Sequence, residues 1–138
     1  MAKILVVDDE PLIVSLIAEV AIEFDHTVFT ALNGKQALEI YLRELPQLVI
    51  SDIMMPGIDG YEVCRRIRAH SSQRETKIAL MTAGFFDPAA VDGQYDAFLK
   101  KPFNIEEVDY LLQVMLAEHQ SRVPHLNQSE ITGLSEPV

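Results

Sequence analysis

The stretch VISDIMMPGIDG, residues 49–60, decides the fold. Val49 and Ile50 read as the end of a strand covered on both faces, because no polar residue alternates with them. That strand runs straight into Ser51 and a bare carboxylate, Asp52. Two methionines, a proline and two glycines follow. An acid at a strand tip, followed by a stiff loop, is what the ligand-facing edge of a parallel α/β sheet looks like.

The chain on either side supports that reading. KILVV (3–7) is short, apolar and rich in β-branched residues, a second candidate for a strand buried on both faces. PLIVSLIAEVAIEF (11–24) places Ile13, Leu16, Ile17, Val20 and Phe24 at helical spacing, and Pro11 suits the first turn. HTVFTA (26–31) reads as a strand, and Asn33 as the cap of a helix running to about Glu44, with Ala37, Leu38 and Tyr41 inward. LVISD (48–52) is the third strand, and Gly60 to His70 a short helix carrying Val63, Cys64 and Ile67. KIALMT (77–82) and AFLK (97–100) are the fourth and fifth strands. A last helix runs from Asn104, paired with Glu107 as a capping box, to about Glu118, with Ile105, Val108, Leu111, Leu112, Met115 and Leu116 as its core stripe. Strand and helix alternate, so the expected fold is a doubly wound α/β sandwich around a five-stranded parallel sheet. The expected division is one domain over 1–119 and a polar tail over 120–138, with no output domain.

Composition narrows the function. Acids number 21 against 11 bases, for a net charge of −10, and no basic cluster is available for nucleic acid. No apolar run approaches the ~20 residues of a membrane span. The N-terminus is not a secretory signal, and Cys64 is the single cysteine, which fits a reducing cytosol. Cys64 itself reads as a small core residue, and the four histidines share no metal-ligand spacing.

Chemistry collects where the strands end. Asp8 and Asp9 follow the first strand, Asp52 ends the third, Thr82 the fourth, and Lys100-Lys101-Pro102 the fifth. Three carboxylates brought together repel one another and call for a cation. Oxygen ligands without His or Cys favour Mg²⁺, with Mn²⁺ as an alternative. Of the two lysines, Lys101, next to Pro102, is the better candidate to meet an anion. An acid and a lysine taken singly prove little, since strand-end acids often cap turns or helices. Their order along the chain is the stronger signal.

ILVVDDEP (4–11), LVISDIMMPGIDGYEV (48–63), LMTAG (80–84) and FLKKPF (98–103) together resemble the signatures of a bacterial response regulator receiver domain, the chemotaxis-protein-like single-domain type, over roughly residues 3 to 118. The resemblance implies a flavodoxin-like sheet of order 2-1-3-4-5. It implies that Asp52 accepts a phosphoryl group from a sensor histidine kinase or phosphotransfer protein. Asp9 would then bind Mg²⁺ directly and Asp8 through water, with Asp52 and the Met54 carbonyl completing the ligands. Lys101 and Thr82 would contact the phosphoryl oxygens, and Phe98 would match the family's switch aromatic, although composition alone reads such a residue more often as core. The Lys101–Pro102 bond becomes a candidate cis peptide. The same resemblance implies a cytoplasmic protein in a two-component phosphorelay. Its signal would leave through phosphorylation-dependent contact with a downstream protein, and the face of fourth helix, fifth strand and last helix is a candidate homodimer surface. No enzyme activity is expected beyond its own phosphorylation and dephosphorylation.

The chain also departs from the family pattern. The segment between Thr82 and Lys101 is a few residues short, so the fourth helix must fit into FFDPAAVDGQ (85–94) and is expected to be short or irregular. Met54 and Gly84 stand where rapidly self-dephosphorylating members carry polar side chains, which implies a long-lived phosphoryl group. Two rival readings are a degenerate receiver that only binds, opposed by the intact Asp8, Asp9, Asp52, Thr82 and Lys101, and an Asp-dependent phosphohydrolase. The latter wants a second acid two residues after the nucleophile, where Met54 stands.

Overall fold

The computed structural model describes residues 1–70 and 75–117. Along them run β1 (Lys3–Val7), α1 (Pro11–Glu23), β2 (Thr27–Ala31), α2 (Gly34–Glu44), β3 (Leu48–Asp52), α3 (Gly60–His70), β4 (Lys77–Thr82), a 3₁₀ helix (Pro88–Val91), β5 (Ala97–Lys100) and α4 (Ile105–Met115). The sheet order is β2-β1-β3-β4-β5, every pair parallel. The expected fold class is therefore what forms. The tail expected from residue 120 lies outside the described residues.

Each helix starts where its sequence says it should. Pro11 opens α1, where a missing N–H is harmless. Asn33 accepts from the Gln36 N–H at 2.8 Å and caps α2. Asn104 and Glu107 form the reciprocal capping box of α4.

The sheet separates two apolar layers. On one side Ile4, Val6, Ile50 and Met81 pack under α1 and α4; on the other Leu5, Val49, Ile78 and Leu80 pack under α2 and α3. Strands that bury both faces have no room for alternation, which is why residues 4–7 of β1 and 48–50 of β3 are uninterrupted apolar runs. The helix stripes turn slightly from the expected ones. In α1 the buried set is Val14, Ile17, Val20 and Ala21, while Phe24 is half exposed. In α4 Ile105 is exposed, and Tyr110 and Val114, which the expected stripe leaves out, pack partly against the core. Spacing fixes the width of an apolar stripe but not which edge of it faces inward.

The fourth connection is irregular, as its length required. Asp87 caps a single 3₁₀ turn by accepting from the Ala89 N–H at 3.1 Å, and Pro88 opens it. Asp92 and Gly93 then both adopt left-handed backbone, φ 53° and 69°, which ends the turn at once. The carbonyls that a longer helix would satisfy internally are met by α3 instead. Arg65 donates to Ala90 O at 2.7 Å and Arg68 to Gln94 O at 2.9 Å.

Two glycines seat the β3–α3 loop. A Cβ on Gly60 would collide with the Asp52 carbonyl and lie 2.7 Å from Ile53 Cα, and one on Gly34 would collide with the Ile58 carbonyl. These neighbours are backbone and cannot step aside. Gly60→Ala is therefore expected to cost about 1–3 kcal/mol of stability and to shift the Asp52 loop, which chemical denaturation and amide chemical shifts would measure.

Candidate functional site

Register explains why the charged residues meet. Val6 pairs with Ile50 across β1 and β3, and both point into the α1/α4 layer. Two residues further on, the period-two pleat points Asp8 and Asp52 toward that same side. Leu99 of β5 lies in that layer too, and Lys101 follows it by two. Asp8 is fully buried, Asp52 nearly so and Asp9 exposed.

An oxygen from each of Asp8, Asp9 and Asp52 lies within 4.8 Å of the others. Lys101 Nζ donates to Asp8 Oδ2 at 2.7 Å, pairs with Asp52 Oδ1 at 3.1 Å and reaches Glu10 Oε1 at 3.5 Å. The second oxygen of Asp8 accepts from the Glu10 N–H at 3.0 Å. Glu10 is the member of this cluster that sequence reasoning passed over; its signal was the third acid of the DDE run. The Lys101–Pro102 peptide is cis.

The electrostatics are those of crowded carboxylates. Burial pushes Asp52 up to about 6; the Lys101 hydrogen bond pulls it back, and the charges of Asp8 and Asp9 add to the rise. Burial likewise raises Asp8 above the ordinary carboxylate range, against its bonds from Lys101 and Glu10. For Lys101, burial alone would lower the ammonium, but the bonds to Asp8 and Asp52 outweigh it and hold it above the usual lysine value. One lysine thus only partly compensates the acids. The hard-oxygen donor set of Asp8, Asp9 and Asp52 fits a divalent ion such as Mg²⁺.

Thr82 is buried at the end of β4, where its Oγ1 accepts from the Gly84 N–H at 3.1 Å and its carbonyl accepts from the Lys101 N–H at 3.1 Å. Phe98 is buried on β5, opposite Leu80 and in the α2/α3 layer. Thr82 lies two residues beyond Leu80 and faces the same way. Phe98 does not stand alone. Phe86 stacks on it with centroids 4.5 Å apart and planes at 10°, and Tyr61 stacks on Phe86 at 6.3 Å. Met54, two residues past Asp52, keeps its side chain in solvent. Cys64 is buried, as expected of a core residue, and burial pushes its thiol up to about 11. Among the described residues no helix is long and apolar enough to cross a membrane.

Comparison with known proteins identifies the family. The model of the response regulator receiver domain matches residues 4–113. The transcriptional regulatory protein TcrA of Mycobacterium tuberculosis is 39% identical over 109 residues, covering 77% of this chain and 42% of that protein. The response regulator Rre1 of Synechocystis is 34% identical over 123 residues, covering 86% of this chain and 53% of its own length. The chain thus spans about half the length of these relatives. The chemotaxis protein CheY4 of Vibrio cholerae superposes with a TM-score of 0.76 at 30% identity, covering 84% of this chain and 99% of that one.

Proposed function

The chain belongs to the response regulator receiver domains, and from that premise we propose that Asp52 accepts a phosphoryl group from the phosphohistidine of a sensor kinase or phosphotransfer protein. The observation that carries the proposal is the gathering of Asp8, Asp9 and Asp52 oxygens opposite the Lys101 ammonium.

A carboxylate oxygen of Asp52 attacks phosphorus, the P–N bond to the donor imidazole breaks, and its electron pair returns to the ring nitrogen. The product is an acyl phosphate, which replaces one carboxylate charge by roughly −1.5 to −2 charges. Asp8, Asp9, Asp52 and the Met54 carbonyl are the groups that would hold Mg²⁺. That ion, when bound, neutralises charge on the transferring phosphoryl oxygens. Lys101 already bridges Asp8 and Asp52 and is placed to follow the new charge. Thr82 offers its hydroxyl hydrogen, which the bond from the Gly84 N–H to Oγ1 leaves free. Burial of Asp52 keeps competing water away from the reactive oxygen.

The setting we infer is a cytoplasmic two-component phosphorelay, with a protein as the downstream target. The candidate homodimer face would comprise the 3₁₀ segment, β5 and α4. Its first element is a single turn, so partners that grip a regular helix there should bind poorly. A phosphohydrolase is the weaker reading, because Met54 supplies no acid or base.

Incubation with Mg²⁺ and acetyl phosphate tests the proposal. One phosphoryl adduct per chain is expected by intact-mass measurement, mapped to Asp52 and absent when the divalent ion is chelated. Because Met54 and Gly84 cannot orient a water, the adduct should persist far beyond seconds after the donor is removed. An adduct on another residue, or none, refutes the assignment.

A further inference from the structure

In this fold a fourth helix would normally stand between β4 and β5; here a chain of aromatic rings and side-chain hydrogen bonds stands in its place. Starting at β5, Phe98 stacks on Phe86 at 4.5 Å, Tyr95 meets Phe86 edge-on at 5.0 Å, and Tyr61 of α3 stacks on Phe86 at 6.3 Å. The Asp87 N–H donates to the Tyr61 hydroxyl oxygen at 2.8 Å. Tyr61, Cys64, Arg65 and Arg68 lie on one stripe of α3, at helical spacing. The last three bond the carbonyls of Ala90 and Gln94. The far end of the connection is therefore held by several bonds. The near end, from Gly84 to Asp87, is held at one side by the Gly84–Thr82 bond and at the other by Tyr61.

We propose that Tyr61, acting through Phe86, is a positioning residue that holds Phe98 and the 84–87 segment at rest, so that the state of Asp52 travels outward along the Phe98–Phe86–Tyr61 tier onto α3 rather than through a fourth helix. This rests on the phosphoryl-acceptor reading above. When the Thr82 side chain rotates to donate its O–H to a phosphoryl group, Oγ1 is carried off the Gly84 N–H and the segment is free to shift on that side. The Tyr61 bond and the ring stack resist the shift. The connection cannot move as a rigid helix, because its far end is tied to α3. Phe98 is already buried under Phe86, so it has no open pocket to swing into and moves only with its neighbour. Phe85, beside this tier, is exposed and rides on the same segment.

Coupling between two sites is reciprocal. A contact that opposes the phosphorylated arrangement must also weaken binding of a phosphoryl mimic at Asp52. Tyr61→Phe keeps the ring and removes the oxygen that receives the Asp87 N–H. Asp87 is exposed, so water replaces the bond and the fold is retained. The full chain, with 4-fluorophenylalanine incorporated, is titrated with beryllofluoride in Mg²⁺ and followed by ¹⁹F resonance. Tyr61→Phe should bind the mimic about two- to tenfold more tightly, the net worth of one hydrogen bond. The resting Phe86 and Phe98 signals should move toward their activated positions, with the melting temperature lowered by a few degrees at most. Phe86→Leu, which keeps bulk and loses the stack, should act in the same direction. Arg66→Ala, on the exposed side of α3, should change nothing.

Equal or weaker affinity in Tyr61→Phe overturns the inference and leaves the acceptor reading standing. So do Phe86 and Phe98 signals that ignore beryllofluoride while it binds. Failure of wild-type protein to take either beryllofluoride or a phosphoryl group at Asp52 overturns the acceptor reading itself, and the coupling with it.

Discussion

Asp52→Asn is expected to abolish the acyl-phosphate adduct, lowering phosphorylation by on the order of a thousandfold or more, while making the metal-free protein more stable at neutral pH. The first effect follows from losing the nucleophile. The second follows from the sign of the pKa shift. Asp52 titrates at about 6 in the folded chain, against 3.8 for the free side chain. Between those values the folded state holds a proton that the unfolded state has released. Stability therefore falls as pH rises from about 4 to about 6, and stays low above that. The difference, just over two units, amounts to on the order of 2–3 kcal/mol. An amide carries no charge to bury, so the variant escapes the penalty. Denaturation with chelator present should show the Asp52→Asn variant more stable than wild type at pH 7 and the two converging near pH 4. A variant no more stable at pH 7 would show that Lys101 compensates the acids fully.

Lys101→Ala is the second large effect and runs the other way. The ammonium is 13% exposed and lies against two carboxylates that are nearly or fully buried. Removing it takes away what lowers Asp8 and Asp52, so both rise further and the cluster is left with acids alone. Loss of one partner from a buried ion pair costs about 3–5 kcal/mol, and protonation of a carboxylate softens that figure below about pH 6, where Asp52 titrates even with Lys101 beside it. We expect a metal-free loss of about 2–4 kcal/mol at pH 7, much of it recovered at pH 5 or with saturating Mg²⁺. Phosphorylation by acetyl phosphate should fall sharply even when Mg²⁺ restores the fold. Urea titrations at the two pH values, with and without Mg²⁺, separate these contributions. A pH-independent loss would mean that Lys101 acts through packing and not through charge.

The opposite signs of these two variants are the most direct test that the cluster carries excess negative charge at rest. They also separate structure from chemistry, since one variant gains stability and loses activity while the other loses both.

Much of the architecture was legible because parallel strands covered on both faces write themselves as plain apolar runs. KILVV and LVISD could hardly be anything else, and the groups that follow each run had to gather at one edge. The site was legible for the same reason: Asp8, Asp52 and Lys101 keep the parity of the strands that deliver them. Length required a short or irregular fourth helix, without saying that it would be a 3₁₀ turn. What the residues did not disclose were contacts between segments distant in sequence. Phe86 reads as one half of an FF pair in a loop, and Tyr61 as an ordinary first-turn residue. Only the fold shows them stacked on each other and on Phe98. The buried edges of α1 and α4 were misjudged by a residue for a related reason. Phe24 and Ile105 satisfy the helical period but stand at helix ends, Phe24 just past α1 and Ile105 in the first turn of α4, and both are exposed.

The turn that carries Met54 is wedged between Gly34 and Gly60, neither of which has space for one methyl group. A seat with no slack on either side cannot be moulded around whichever donor arrives. On the acceptor reading proposed above, choosing among donors is then left to residues outside this turn, and the reaction centre can stay unaltered while its allegiance changes.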